Sequence, residues 1–478
     1  MVKILFAATE AVPFAKIGGL GDVIGALPAE LNKLGLEVSV IMPKYQDIPM
    51  EYQQQMQTVA TFVVPVGWRQ QTCILKSLKQ NDTTFYFLEN DYYFERTGIY
   101  GFYDDAERFA FLCRGVLEAI PYLEHQPDII HNHDWHTAMI SVLLKAHYSW
   151  QPLYENIKTV LTIHNLQYLG LYSVDLIKDI YSLGEEYFSA DRLETGGQAS
   201  LLRGGLIFSD WLTTVSTTYA EEICSSDLGG GLLGLLRRRS AQLTGIINGI
   251  DPQMGSPAND PYLYQTFDAR SLKKRLQNKL KLQEELGLPV SDEKLLIGMV
   301  ARLVEQKGLD ILEAVLEELF TLDVQLVVLG LGDPWYHQVL RNMAERFPDK
   351  LSIQLRFDDA AAHRIYGGSD IFLMPSKFEP CGISVINALR FGSIPIVHGT
   401  GGLKELVGNY DAQTGNGTGF MFGEYTPWSM LASVKEAVNL FADKNQWHKL
   451  VRNAMRTDGS WKKPAKAYRE LYQSLINF

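Results

Sequence analysis

The chain has 478 residues, 46% of them hydrophobic, and a formal net charge of −11. That length holds two or three domains with sizeable cores and excludes a disordered or fibrous protein, while the acidic balance excludes a broad nucleic-acid surface. No apolar run reaches the length of a membrane span, and the opening MVKILFAATEA is too short and too charged for a secretory signal, so the expectation is a cytoplasmic protein with no membrane or nucleic-acid partner. Four cysteines, Cys73, Cys113, Cys224 and Cys381, show no paired spacing and read as reduced thiols rather than a disulfide framework or zinc ribbon.

Taken in chain order, Val2 to Ala8 is a short apolar run suited to a buried parallel strand. The glycine loop Lys16-Ile-Gly-Gly-Leu-Gly-Asp22 follows, then a helical pattern carried by Val23, Leu27, Leu31 and Leu34, and a strand at Val38–Met42. Strand candidates continue at 85–88, 129–131, 159–164 and 211–215, with helical stretches at 108–119 and 138–146 between them. Residues 249–261 are rich in Gly, Pro, Asn and Asp and precede a charged segment, 270–285, which together make the best candidate linker. The first layout then repeats: a strand at 295–301, the basic loop Arg302-Leu-Val-Glu-Gln-Lys-Gly308, a helix with Ile311, Leu312, Val315, Leu316 and Leu319 on one stripe, and a strand at 324–329. Further strands fall at 351–355, 371–375 and 394–397. The tail carries Ala467, Leu471 and Leu475 at helical intervals.

This alternation predicts an α/β protein with two Rossmann-like, doubly wound domains facing each other across a deep cleft. The boundaries read as 1–245, 246–458 and a C-terminal helix over 459–478 that packs back on the first domain. Ligands of such sheets sit at the carboxyl ends of strands, where helix N-termini aim N–H groups at anions, and Lys16, Arg302 and Lys307 would add full charges there. Packing glycines beside exposed lysines is the plainer alternative for each loop alone. A dinucleotide site fits poorly, because the second strand ends Met42-Pro43-Lys44 rather than in an acidic residue.

Four further clusters end apolar strands. In His131-Asn-His-Asp-Trp-His136 the three histidines and one aspartate suggest a metal at first, but they straddle a strand and the next helix without a supporting carboxylate pattern, so no metal site is assigned. Structural hydrogen bonding or a sugar pocket lined by Asp134 remain the readings. Thr162-Ile-His-Asn165 offers His164 and Asn165 to hydroxyls at a rim, or else a satisfied core histidine. In Pro375-Ser-Lys-Phe-Glu-Pro-Cys-Gly382, Glu379 stands before a helix, where it either caps the N-terminus or holds sugar hydroxyls, and Thr400-Gly-Gly-Leu403 repeats the glycine device with amides suited to phosphate.

With these motifs in this order, joined by Gly245-Ile-Ile-Asn-Gly-Ile-Asp251, the chain resembles bacterial glycogen synthases and plant-type starch synthases over essentially its whole length. The resemblance implies the two-domain GT-B glycosyltransferase fold, no metal or organic cofactor, and retaining transfer of glucose from ADP-glucose to the non-reducing end of an α-1,4-glucan. It implies that Lys16 and the amides of Gly18 and Gly19 contact the donor phosphate, with Glu10 and Asp22 shaping their loop. It further implies that Arg302 and Lys307 clamp the diphosphate, that Glu379 with the amides of Cys381 and Gly382 binds the transferred glucosyl unit, and that His164, Asn165 and Asp134 line the same pocket. Phe357 would stack on the base, and Asn248, Thr400, Gly401 and Gly402 belong to the substrate-binding set. The chain departs from the family pattern at Ile383-Ser-Val385, Asn387, Leu233 and Met254-Gly-Ser256, positions that bear on nucleotide fit and turnover. A catalytically weakened glucan-binding or priming protein is the competing reading; the retained Lys16, Arg302, Lys307 and Glu379 favour the enzyme.

Overall fold

Apolar, β-branched runs too short to make helices become parallel strands covered on both faces. The structure, a computed structural model, describes residues 1–251 and 256–477; the sequence departure at Met254-Gly255 lies outside them. Two compact units result, one made of residues 1–248 with the C-terminal residues from Trp461, the other of Gly249–Ser460.

In the first unit the strands are β1 (Lys3–Ala7), β2 (Glu37–Pro43), β3 (Gln57–Val66), β4 (Arg69–Gln80), β5 (Thr83–Glu89), β6 (Ile129–His133), β7 (Lys158–Ile163), β8 (Leu171–Ser173), β9 (Glu194–Thr195), β10 (Gln198–Ser200), β11 (Trp211–Thr214) and β12 (Leu243–Gly245). Nine of them form one sheet in the order β12-β11-β7-β6-β1-β2-β5-β4-β3, and β8, β10 and β9 form a small separate one. All pairings in the large sheet from β12 to β5 are parallel, and the hairpin β3–β4 adds antiparallel strands at one edge. The order of the parallel strands reverses between β1 and β6, which makes their carboxyl ends the switch point where ligands of open α/β sheets bind.

The second unit has β13 (Leu295–Val300), β14 (Val324–Leu329), β15 (Leu351–Gln354), β16 (Ile371–Met374), β17 (Ile394–His398) and β18 (Phe420–Phe422). They pair in parallel in the order β15-β14-β13-β16-β17-β18. Numbered within the unit this is 3-2-1-4-5-6, the doubly wound dinucleotide-fold order, with its switch point between β13 and β16. Every residue of β14 and β16 is buried, as expected for a sheet covered on both faces.

The charged segment that reads as linker is instead the helix Leu272–Glu285 of the second unit. Its buried face is largely polar, which is why it carries no apolar stripe. Lys279 Nζ meets Asp370 Oδ2 at 2.7 Å, Arg275 Nε donates to the Phe391 carbonyl at 2.9 Å, and Gln283 Nε2 donates to Gln325 Oε1 at 2.7 Å. Buried charges of this kind persist only when paired and hydrogen-bonded.

The last helix, Lys462–Ile476, buries Ala465, Tyr468, Leu471, Tyr472 and Leu475 and packs on the helix Gly19–Lys33. The Tyr472 hydroxyl lies 2.7 Å from His131 Nδ1, and His131 Nε2 lies 2.6 Å from the Thr162 hydroxyl. All these groups are fully buried. Replacing Tyr472→Phe leaves a ring nitrogen of His131 without a partner, and a cost of about 1–3 kcal/mol is expected, read as a lower urea midpoint. An unchanged midpoint would show that the tyrosine anchors the helix through its ring alone.

Candidate active site

The loop after β1 is organised by one carboxylate. Glu10 is buried, and its Oε2 accepts from the amides of Ile17 (2.7 Å) and Gly18 (2.9 Å). Its Oε1 accepts from the Tyr100 hydroxyl at 2.7 Å, which in turn lies 2.6 Å from the Thr9 hydroxyl. The Gly18 amide, expected to face a phosphate, is thus given to Glu10, and the loop offers Lys16 and the start of the helix at Gly19 in its place. Lys16 Nζ pairs with Asp22 Oδ1 at 2.9 Å, both side chains about one-third exposed, so the lysine is held at the surface of the loop. Tyr100 carries no motif of its own, and sequence reasoning missed it.

At the ends of β6 and β7, Asp134 adopts a left-handed φ of 59°, which costs about 1–2 kcal/mol for a residue with a Cβ. That turn puts Oδ1 on the amides of His164 (2.7 Å) and Asn165 (3.4 Å), so the aspartate joins the two strand ends. Burial pushes its carboxyl up to about 7 against the pull of those two amides, and the Glu10 carboxylate adds to the rise. His164 Nε2 lies 3.0 Å from His133 Nδ1, and burial brings the His164 imidazole down to about 3, so it is neutral at physiological pH. His131 and His133 are driven well below the usual range, first by burial and then by neighbouring histidines. His136 stacks on Tyr100 at 4.7 Å and on Trp135 at 4.0 Å between ring centroids. Among the described residues no group of three or more His, Cys, Asp or Glu side chains gathers as a metal site. Asn248 is buried, and its side-chain carbonyl has no hydrogen-bond partner among the described residues.

The second unit brings three loops together at its switch point. After β13, Lys307 Nζ reaches Glu379 Oε2 at 2.5 Å, with both side chains nearly buried. The hydroxyl of Ser376, wholly buried just past β16, donates to the same oxygen at 3.1 Å. Glu379 therefore does not cap the following helix, Ile383–Arg390; the cap residue is Gly382, at a φ of 96° with no side-chain cap bond. Arg302 lies on the exposed side of its loop with Nη2 3.5 Å from Gln306 Oε1. Phe357, just beyond β15, is 63% exposed and offers a free ring face.

The Thr400-Gly-Gly segment works differently from its motif. The Thr400 amide donates to the His398 carbonyl at 2.9 Å, and the Gly402 amide to the Glu379 carbonyl at 3.1 Å. The Gly402 amide is thus spent supporting the Glu379 turn from behind, and the Thr400 amide closes on the end of β17, instead of facing an anion. Cys381 is buried beside Gly402. Of the departures from the family pattern, Val385 is fully buried in the hydrophobic core of this unit.

Comparison with known proteins matches the starch synthase catalytic domain to residues 3–238 and glycosyl transferases group 1 to residues 281–456. The chain is 49% identical to the glycogen synthase of Alkaliphilus metalliredigens, covering 99% of this chain and 100% of that one. The chain belongs to the glycogen synthase family. A second glycogen synthase, from Desulforamulus reducens, is 49% identical with 99% of each chain covered. Among solved structures, the catalytic domain of starch synthase IV from Arabidopsis thaliana bound to ADP and acarbose superposes with a TM-score of 0.93 at 31% identity, covering 100% of this chain and 99% of that one. The protein is a glucosyltransferase.

The raised Asp134 carboxyl has a stability consequence. Its folded value, about 7, lies above the ordinary 3.8, so the folded state holds an extra proton between those values and stability falls as pH rises through that window. Asp134→Asn keeps an acceptor for the two amides, tolerates the left-handed turn and has no charge to bury. Its melting temperature should match the wild type at acidic pH and exceed it in alkaline buffer. A difference that stays constant across pH would refute the burial account.

Proposed function

We propose that the protein transfers glucose from ADP-glucose to the non-reducing end of an α-1,4-glucan with retention of configuration. The observation that carries this reading is the Lys307–Glu379 pair at the switch point of the second unit, a cation for phosphate and a carboxylate for sugar hydroxyls on one spot. Lys307 exchanges its carboxylate for the diphosphate when the donor binds, and Glu379 keeps the Ser376 hydroxyl and turns its remaining lone pairs to the sugar. Arg302 and Lys16 add positive charge as the leaving diphosphate gains negative charge, which is the electrostatic contribution that lowers the barrier. The exposed ring of Phe357 stacks on the base.

On the other unit, neutral His164 and the Asn165 amide hydrogen-bond to hydroxyls, with Asp134 holding both backbones in place. The acceptor hydroxyl attacks the face from which the diphosphate leaves, and a phosphate oxygen takes its proton, so no further general base is invoked. The choice of adenine is supported by the ADP bound to the starch synthase IV structure. The same reading places the protein in the cytoplasm; none of its described helices is long and apolar enough to cross a membrane.

The decisive assay is release of nucleotide diphosphate from ADP-glucose and UDP-glucose, each with and without glycogen. Release from ADP-glucose that depends on glycogen is expected, and silence with both donors would sink the reading. Lys307→Ala should lower kcat by on the order of a hundredfold; near-normal turnover would remove Lys307 from the diphosphate clamp.

A further inference from the structure

We propose that His398 is a positioning residue for the Glu379 carboxylate. His398 is the last residue of β17, and its Nδ1 lies 3.0 Å from the carbonyl oxygen of Ser376. A carbonyl only accepts, so Nδ1 carries the hydrogen and the tautomer is set by the contact. Ser376 in turn donates its hydroxyl to Glu379 Oε2 at 3.1 Å. Ser376 is wholly buried, so in the intact protein both bonds are made away from bulk water. The hydroxyl reaches the carboxylate only while the Ser376 backbone holds its place, and the His398 N–H is what holds the carbonyl of that backbone.

The histidine is itself clamped. Its ring centroid lies 5.5 Å from Phe422 and 5.3 Å from Tyr425, and the Tyr425 hydroxyl donates to Asp310 Oδ1 at 2.5 Å. Asp310 stands three residues past Lys307, the other partner of Glu379. His398 therefore ties the end of β17 to the turn after β16, and through Tyr425 to the helix Leu309–Glu313 that follows the Lys307 loop. A carboxylate that must be held to a fraction of an ångström gains its precision from such supporting bonds. None of the motifs that mark the family contains this residue, and its role rests on the reading of Glu379 as the group that holds the transferred sugar.

The test compares His398→Ala with His398→Asn, whose side-chain N–H can reach the same carbonyl. His398→Ala should lower kcat about tenfold with the donor KM within about twofold, since misplacing a positioned group slows the step more than it weakens binding. His398→Asn should recover kcat to within about threefold of wild type. An alanine variant with wild-type kcat, or an asparagine variant no better than alanine, overturns the proposal. Should the alanine variant fail to fold, the wild-type protein still decides: in ¹⁵N-histidine spectra recorded well above the imidazole titration range, His398 should carry its proton on Nδ1, and a proton on Nε2 overturns it. Wild-type protein that releases no nucleotide diphosphate while showing the expected tautomer would instead remove the functional reading beneath the proposal, and the bond would stand.

Discussion

Backbone pressed against backbone at the carboxyl edge of the second sheet is the constraint on which the site depends. A Cβ on Gly308 would sit 2.2 Å from the Pro375 carbonyl oxygen, one on Gly401 2.0 Å from that of Glu379, and one on Gly402 2.1 Å from that of Cys381. No side chain fits such gaps, and Gly308 and Gly401 also hold positive φ angles that favour glycine. Three loops from three strands therefore close on one turn. That closure brings Lys307 onto Glu379 and keeps Ser376 beneath it.

Polar groups around the two switch points are mostly assigned to one another. Glu10 uses two loop amides and a tyrosine, Asp134 uses the amides of the next strand end, and the Gly402 amide is turned on the Glu379 turn. Lys16 and Lys307 both rest against carboxylates. An anion entering either place competes with a partner already present, so selectivity rests on offering more than one contact at once. Burial keeps the histidines neutral, which makes them hydrogen-bonding groups rather than charges.

The doubly wound fold was legible because its signal is local: apolar runs, glycine loops and helical stripes recur in β1–β2 and again in β13–β14. The charged residues of the site were legible as motif members for the same reason. What escaped were contacts made across sequence. The helix Leu272–Glu285 reads as linker because Arg275, Lys279 and Gln283 are buried on it, and only Asp370 and the distant carbonyls that satisfy them make such burial tolerable. The hairpin β3–β4 consists of partly exposed strands at the edge of the sheet, so burial marks them weakly. Tyr100 and His398 act through bonds to residues far away or on another loop, and no spacing rule marks a residue whose partner is set by topology. The Thr400-Gly-Gly motif shows the converse: its glycines were visible, yet their use as a support for Glu379 appears only in three dimensions.

The helix Lys462–Ile476 closes the first unit from beyond the second, which is a single continuous stretch. During synthesis, then, the middle of the protein can complete its core while the first-made part still lacks a cover over His131 and over the helix Gly19–Lys33. Folding that proceeds along the emerging chain leaves that apolar surface open until the helix Lys462–Ile476 has been made, an interval in which chaperones have something to hold. The oldest part of the polypeptide is thus the last to become native.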